Sequence, residues 1–160
     1  MGTRTWLALV VALLVLLPGC TEPDFPRDPE GTLLRAMGGE LRVGVSENPP
    51  HTKVADDGSV SGEEVEIIQG WADSIGAEVA WSDGAESVLM ERLKLGELDI
   101  VIGGLASDSP WTTHAALTRP YAEVNGPDGK PSKLVIAVLM GENALQSSLE
   151  RFLISEGLEP

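Results

Sequence analysis

Short β-type runs alternate with amphipathic segments from residue 41 onward, and this order limits the possible folds more than any other feature of the chain. Residues 41–46 (LRVGVS), 77–82 (AEVAWS) and 98–105 (LDIVIGGL) are rich in aliphatic side chains, which predicts three strands. Between them, residues 62–75 and 86–95 carry apolar side chains at the three-and-four spacing of a helix. This order predicts an α/β fold, with a small, mostly parallel sheet and helices on both faces.

The remaining third of the chain extends the same pattern. Residues 116–124 predict a fourth strand that Pro120 interrupts, and residues 133–140 (KLVIAVLM) predict another. Residues 143–154 predict a final helix, because their apolar residues recur on one side. The chain has 160 residues, which is enough for one layered core. We therefore expect a single lobe over residues 41–160.

The first twenty residues have the pattern of a targeting segment. Residues 6–17 (WLALVVALLVLL) are an unbroken apolar run that would reach about 18 Å as a helix, less than the roughly 30 Å of a hydrocarbon core. We therefore interpret residues 1–19 as a signal peptide. The adjoining sequence Leu-Pro-Gly-Cys ends at Cys20 and resembles the lipobox of bacterial lipoproteins, which implies that Cys20 is acylated. A plain secretory signal with an unrelated cysteine is the alternative.

The segment that follows is predicted to be a tether. Residues 20–40 contain several prolines and alternating charges, which favour an extended spacer. Within it, Thr32 is a candidate cap for a short helix that ends at two glycines.

The charge of the chain excludes several classes of partner. Lys plus Arg number 11 and Asp plus Glu number 25, which gives a net charge of −14. So few cations form no sizeable basic patch, so we expect neither nucleic-acid binding nor electrostatic attraction to anionic lipid. A bilayer would instead hold the protein through acyl chains on Cys20. Because the chain has one cysteine, we expect no internal disulfide and no cysteine-based zinc site, and nothing in the sequence predicts another metal or a cofactor.

Three segments together resemble a known family. They are residues 41–51 (LRVGVSENPPH), residues 56–81 (DDGSVSGEEVEIIQGWADSIGAEVAW) and residues 89–121, which include GELDIVIGGL and TRPY. This run is similar to the first lobe of the family 3 extracellular solute-binding proteins, which serve ABC importers of amino acids and other small polar solutes. The resemblance implies a periplasmic-binding-protein-like lobe, a small polar ligand and an ABC permease as a partner.

The second lobe of that family has no counterpart in this chain. Residues 133–153 resemble the strand and helix that return to the first lobe after the second lobe has been completed, but only residues 125–131 lie before them. We therefore expect a hairpin-like turn where relatives carry a whole lobe. One lobe buries less of a ligand than two closing lobes do, so the resemblance implies weak binding, a second copy that rebuilds the cleft, or another role.

Ligands of open α/β sheets bind beyond the carboxyl ends of the strands. The predicted ligand-binding residues are therefore Glu47, Asn48 and His51 after the first strand, Glu86 after the second, and Gly104, Leu105, Ala106, Asp108 and Trp111 at the end of the third. The family places aromatic rings at the positions of His51 and Glu86, and a carboxylate-binding arginine at the position of Trp111. An indole cannot replace a guanidinium fork, so we expect no amino acid bound by the usual clamp. Acids beside an indole suit a cation instead. The alternative is that these acids are part of a uniformly acidic surface and hold no ligand.

These features predict a non-enzymatic, lipid-anchored solute-binding protein that faces the periplasm or the cell exterior. One alternative is an accessory envelope lipoprotein whose exposed cleft face docks on a permease or another protein. Another is a degenerate remnant that binds no ligand. The pair Glu86-Ser87 is similar to the Glu-Ser pair of lytic transglycosylases, but the rest of that catalytic motif is absent. A concave polar pocket at the strand ends would favour solute binding, and an exposed apolar patch there would favour docking.

Overall fold

The computed structural model of the chain describes residues 26–126 and 129–159. The predicted signal peptide and Cys20 lie outside the described residues. Within the part that the structure describes, no helix is long and apolar enough to span a bilayer.

Within residues 26–126 and 129–159, four α-helices and eight strands follow one another, and the short strands Lys53–Val54 and Val60–Ser61 are the two that the sequence does not predict. The strands are β1 (Glu40–Val45), β2 (Lys53–Val54), β3 (Val60–Ser61), β4 (Glu78–Asp83), β5 (Ile100–Ala106), β6 (Ala116–Leu117), β7 (Ala122–Asn125) and β8 (Pro131–Val138). The helices are α1 (Thr32–Ala36), α2 (Glu63–Ile75), α3 (Glu86–Lys94) and α4 (Asn143–Ser155), with a 3₁₀ turn at Pro110–Thr113. The three predicted strands and the two helices between them are therefore confirmed, with small differences at their ends.

The main sheet is mostly parallel, as predicted. Its order is β4-β1-β5-β8-β6, and β7 also pairs with β8. Strand β1 runs parallel to both β4 and β5, whereas β8 is antiparallel to β5, β6 and β7. Only β8 therefore runs against the other strands of this sheet. The carboxyl ends of β1, β4 and β5 meet at one edge, which is the edge where the sequence predicts the ligand site.

A hairpin closes the sheet at the point where the resemblance described above would imply a second lobe. Strands β7 and β8 pair from Ala122 opposite Leu134 to Asn125 opposite Pro131, so the stretches on either side of the turn are neighbours. The predicted fourth strand is split into β6 and β7, which both pair with β8. Thr118 lies in the gap, where its N–H donates to the carbonyl of Ile136 and its hydroxyl accepts the N–H of Ile136.

The sheet is covered on both faces, which confirms the layered architecture. On one face, α2 and α4 pack against alternate strand residues, and the buried side chains include Val43, Ile68, Trp71, Ile102, Ile136 and Leu149. On the other face, α3 packs against the intervening residues, and the buried side chains include Leu89, Leu93, Val101, Val135 and Ala137. The alternation of β-strand side chains between faces assigns neighbouring residues of β5 and β8 to different cores.

Helix α1 is capped from a distant part of the chain, so the prediction that Thr32 caps it is wrong. Thr32 lies inside the helix and is buried. The carboxylate of Glu142 accepts the backbone N–H groups of Glu30 and Thr32, both at 3.1 Å, and Asp28 accepts that of Leu33 at 2.8 Å. The end of the predicted tether is therefore packed against the body at the start of α4.

Candidate functional site

The loop after β1 is fixed to the end of β5. The side-chain amide of Asn48 donates to the carbonyl of Gly103 at 2.8 Å. Within the loop, the hydroxyl of Thr52 donates to the carbonyl of Ser46 and accepts the N–H of Asn48 at 3.0 Å. Because Thr52 is fully buried, these bonds are shielded from water and hold the loop in one position.

Gly104 lets that loop approach the strand closely. Its φ is +65°, and a Cβ at this position would lie 2.5 Å from Nδ2 of Asn48 and 2.8 Å from Cδ2 of His51. Only glycine fits both the left-handed backbone and the short contact. The structure therefore brings together three of the predicted residues, Asn48, His51 and Gly104.

A buried carboxylate beneath this contact was not among the predicted site residues. Glu64 is fully buried at the start of α2, and its Oε2 accepts the N–H groups of Gly103 and Gly104, both at 2.8 Å. Its Oε1 accepts the hydroxyl of Tyr121 at 2.5 Å. Burial raises the pKa of Glu64, although these hydrogen bonds act in the opposite direction. Burial and the nearby Glu64 also raise the pKa of Tyr121, so its hydroxyl stays a donor at neutral pH.

The sequence carries a signal for this carboxylate. Glu64 lies four positions before Ile68 and seven before Trp71, so it shares their apolar helical face. An acid on a buried stripe requires hydrogen-bond donors from other elements. The donors come from β5 and from the residue directly before β7, and the folded sheet is what brings these segments together.

Glu86 and Trp111 form a second group at the same edge. The indole N–H of Trp111 donates to Oε1 of Glu86 at 2.5 Å. The ring of Trp111 meets the ring of His114 edge to face, with centroids 5.4 Å apart. Nε2 of His114 in turn lies 2.9 Å from Oε1 of Glu91. A half-buried indole with a carboxylate at its edge can contact a cation through charge and through its ring.

A cavity of about 570 Å³ forms the third group, between the loop after β5 and the β7–β8 hairpin. Its lining includes Ala106 and Asp108 from the predicted site, and Ser132 and Lys133 from β8. Within residues 26–126 and 129–159, the side chains of Asp108 and Lys133 make neither a hydrogen bond nor an ion pair. Both charges are therefore available to a polar solute.

The predicted site residues differ in exposure, and Asn48 and Asp108 are exposed. Glu47 is exposed in the loop after β1. Leu105 is buried among the side chains under α3, so it can meet a ligand only through its backbone. No group of three or more His, Cys, Asp or Glu side chains that could hold a metal ion occurs among the described residues.

Solved structures with the same fold include lobes of arginine-binding proteins. The arginine-bound form of domain 1 from TmArgBP is 25% identical, with 73% of this chain and 93% of that one covered at a TM-score of 0.64. A periplasmic binding protein of Salmonella typhimurium with high arginine specificity is 13% identical, with 76% of this chain and 94% of that one covered at a TM-score of 0.64. At such low identity, the second likeness concerns the fold alone.

Sequence comparison gives one curated relative and a family. The chain is 31% identical over 127 residues to the membrane-bound lytic murein transglycosylase F of Maricaulis maris, but it spans only 28% of the length of that protein. The family model of the bacterial extracellular solute-binding proteins, family 3, matches residues 41–128, from the start of the sheet to the turn of the hairpin. This match covers more than half of the chain, and the fold agrees with it, so the chain belongs to the bacterial extracellular solute-binding proteins of family 3.

Proposed function

We propose that this protein is a single-lobed, non-catalytic binding protein for a small polar solute that carries a cationic group. The solute would lie at the carboxyl ends of β1, β4 and β5. The observation that carries the proposal is the pair of Glu86 and Trp111, in which a carboxylate and an indole occupy one end of this edge. Asp108 adds a negative charge at the cavity between the loop after β5 and the β7–β8 hairpin.

The choice of a cation rests on the charges at this edge. Trp111 stands where the family resemblance places an arginine, so the edge lacks the bidentate donor that binds a carboxylate. Glu47, Glu86 and Asp108 supply three acids, and His51, Lys130 and Lys133 are the nearby basic side chains. An ammonium or guanidinium group would gain both charge attraction and contact with the indole.

A single lobe as a binding unit has support among the structural neighbours. Domain 1 of TmArgBP is described in an arginine-bound form, and this chain covers 93% of that domain. A lobe of this size can thus hold a ligand without a second lobe in the same chain. The open edge leaves more of the ligand in water than a closed cleft does, so we expect modest affinity.

A docking module is the alternative function, and the surface at this edge gives it less support. The exposed large apolar side chains of the described residues are Leu34, Met37, Val88, Leu95, Met140 and Ile154. Only Val88, on the first turn of α3, is near the strand carboxyl ends. A polar cavity without an apolar patch favours solute binding.

Acylation of Cys20 would place this lobe on a membrane of the cell envelope, facing the periplasm or exterior. The support is the lipobox-like sequence that ends at the single cysteine. Intact mass spectrometry of the protein purified from its membrane tests this part of the proposal. We expect cleavage before Cys20 and an added mass of acyl chains, whereas an unmodified residue 20 would refute the anchor.

Calorimetric titration of the chain from Thr21, which retains every described residue, tests the ligand class. L-Arginine and agmatine share a guanidinium group, but agmatine has no carboxylate. We expect both to bind and L-glutamate not to bind. Glu86→Gln and Asp108→Asn should each weaken binding of the cations, while Glu156→Gln, which removes an exposed acid beyond α4, should leave it unchanged. Absence of heat from both cations, or equal losses in all three variants, would refute the proposal.

A further inference from the structure

We propose that the end of the fold opposite the candidate site rests on the lipid bilayer. The contact surface, called here the entry face, consists of Leu34, Met37, Leu95 and Met140. This inference depends on the proposed acylation of Cys20. Beyond the anchor itself, it states which face of the lobe meets the lipid and in which direction the ligand-binding edge points.

The exposed apolar side chains are distributed unevenly over the described residues. Four of the six large ones belong to the entry face, and Leu34 and Leu95 are 75% and 70% exposed. The other two, Val88 and Ile154, lie on the first turn of α3 and the last turn of α4. Exposed apolar residues that cluster at one end of a fold mark a contact surface.

The topology places all four entry-face residues at one edge of the sheet. Leu34 and Met37 belong to α1 and its end, which lead into the amino end of β1. Leu95 directly follows α3, where the chain turns back toward the amino end of β5. Met140 follows the carboxyl end of β8, which is antiparallel to β5 and therefore ends at the same edge. The candidate site occupies the other edge.

The length of chain before the described residues determines how far this face can be from lipid. Cys20 and Pro26 are six residues apart, and six residues span at most roughly 20 Å when fully extended. Pro26 lines a cavity together with Leu33 and Leu34 on α1. Acyl chains on Cys20 would therefore keep the entry face within about that distance of the headgroups.

The attraction at this face is apolar rather than electrostatic. A groove of about 470 Å³ between α1 and the end of α3 is lined by the charged residues Glu30, Arg35, Arg42 and Lys94, together with Leu95 and Met140. Both arginines are paired with the buried carboxylate of Asp99. With a net charge of −14, the chain gains nothing overall from an anionic surface. The leucine and methionine side chains can instead enter the interface, while Lys94 extends its ammonium group toward the headgroups.

This orientation has a consequence for the site. The amino ends of β1, β4 and β5 would face the membrane and their carboxyl ends would face away from it. The protein would then take its solute from the side remote from the bilayer. The residues of the candidate site would not be covered by lipid.

Helix α3 supplies a matched pair of positions for the test. Leu95→Cys places a thiol just after the carboxyl end of α3, and Val88→Cys places one in the first turn of the same helix. In each variant this is the single reactive thiol, because acylation converts Cys20 to a thioether. Both side chains are exposed, so neither change disturbs the core. Each full-length, acylated variant is labelled with an environment-sensitive fluorophore and bound to phosphatidylcholine vesicles, and flotation shows whether the protein is anchored.

We expect blue-shifted emission, and quenching by a lipid-borne quencher, at position 95 but not at position 88. Leu34→Cys and Ile154→Cys should repeat this contrast on two other helices. Flotation with equal emission at positions 95 and 88, or with the shift at position 88, would refute the orientation and leave the anchor standing. If the full-length protein, prepared for acylation, does not float with the vesicles, the anchor is refuted and so is the orientation.

Discussion

The hydroxyl of Tyr121 donates a hydrogen bond to the buried carboxylate of Glu64. Through its other oxygen the same carboxylate accepts two N–H groups at the end of β5, so it joins the start of α2, the end of β5 and the residue directly before β7. These three segments are far apart in the sequence. Glu64 does not reach the ligand edge itself, but it holds the backbone of Gly103 and Gly104 in position there.

Removal of this carboxylate should be costly. Glu64→Ala leaves two buried donors and one partly buried donor without an acceptor. One unsatisfied buried donor costs about 1–3 kcal/mol, so we expect a loss of more than about 2 kcal/mol in the free energy of unfolding. Tyr121→Phe leaves one carboxylate oxygen without its donor and should cost about 1–3 kcal/mol. Urea denaturation measures both. Glu66→Ala, an exposed acid on the same helix, is the control, and a loss as large as that of Glu64→Ala would contradict this account.

Alanine at Gly104 should destabilise the protein more than alanine at Gly58. Both glycines have positive φ, +65° and +82°, so both substitutions incur about 1–2 kcal/mol of backbone strain. At Gly58 the added Cβ meets nothing within 4 Å, whereas at Gly104 it displaces the amide of Asn48 from its hydrogen bond. We expect a further loss of about 1 kcal/mol for Gly104→Ala, measured by thermal or urea unfolding. Equal losses would mean that the loop accommodates the Cβ freely.

The stability of the protein should fall as the pH rises through about 6, because of Asp28. Burial and the adjacent Glu142 carboxylate raise the pKa of Asp28 from 3.8 to about 6. The folded state therefore binds a proton that the unfolded state releases near pH 4, so this contribution is present at low pH and is lost as the pH rises through about 6. Asp28→Asn imitates the protonated acid. We expect a smaller decrease in melting temperature between pH 5 and 7.5 for this variant than for the wild type, and an identical decrease would remove Asp28 as the cause.

Asp99 should make the stability of the protein fall as the pH falls, which is the opposite of the effect of Asp28, and it should do so in more acidic solution. Burial raises its pKa, but the hydrogen bonds from Arg42 and Arg35 outweigh burial and lower it below its ordinary value of 3.8. A lowered folded-state pKa gives stability that is present above the ordinary value and is lost as the pH falls below it. Asp99→Asn should cost about 1.5–3 kcal/mol at pH 7. It should also lessen the loss of stability below pH 4, and unfolding curves between pH 2.5 and 7 would show whether it does.

The fold was largely predictable because its determinants are local. The aliphatic run at residues 98–105 is short and rich in β-branched side chains, which favours a buried strand, and residues 62–75 present one apolar stripe that must be covered. The position of β8 is different. Its composition predicts a strand, but only pairing with β7 across the turn assigns it to the same sheet, antiparallel to β5. The family resemblance, rather than the local pattern, predicted that this strand returns to the sheet of the first lobe.

The candidate site was predictable in outline only. The rule that ligands bind at strand carboxyl ends led to Asn48, His51 and Gly104, and the structure brings these three together. The bond between Glu86 and Trp111 could not be read from the sequence, because 25 positions separate them and the loop after β5 must fold back on α3. The cap on α1 shows the same limit, since the sequence pattern favours the nearby Thr32, whereas the cap in the structure is Glu142, 110 positions away.

By itself the sequence determined the alternation of strands and helices, the acidic charge, the lipobox-like ending at Cys20 and the absence of a second lobe before β8. Periodicity and composition are properties of short segments, so they survive without knowledge of the rest of the chain. Only the tertiary structure decided which acid is buried under Gly103 and Gly104, which carboxylate meets the indole of Trp111 and which end of the lobe gathers the exposed leucines and methionines. Those relationships depend on contacts between segments distant in sequence, and a packed sheet is what brings such segments into contact.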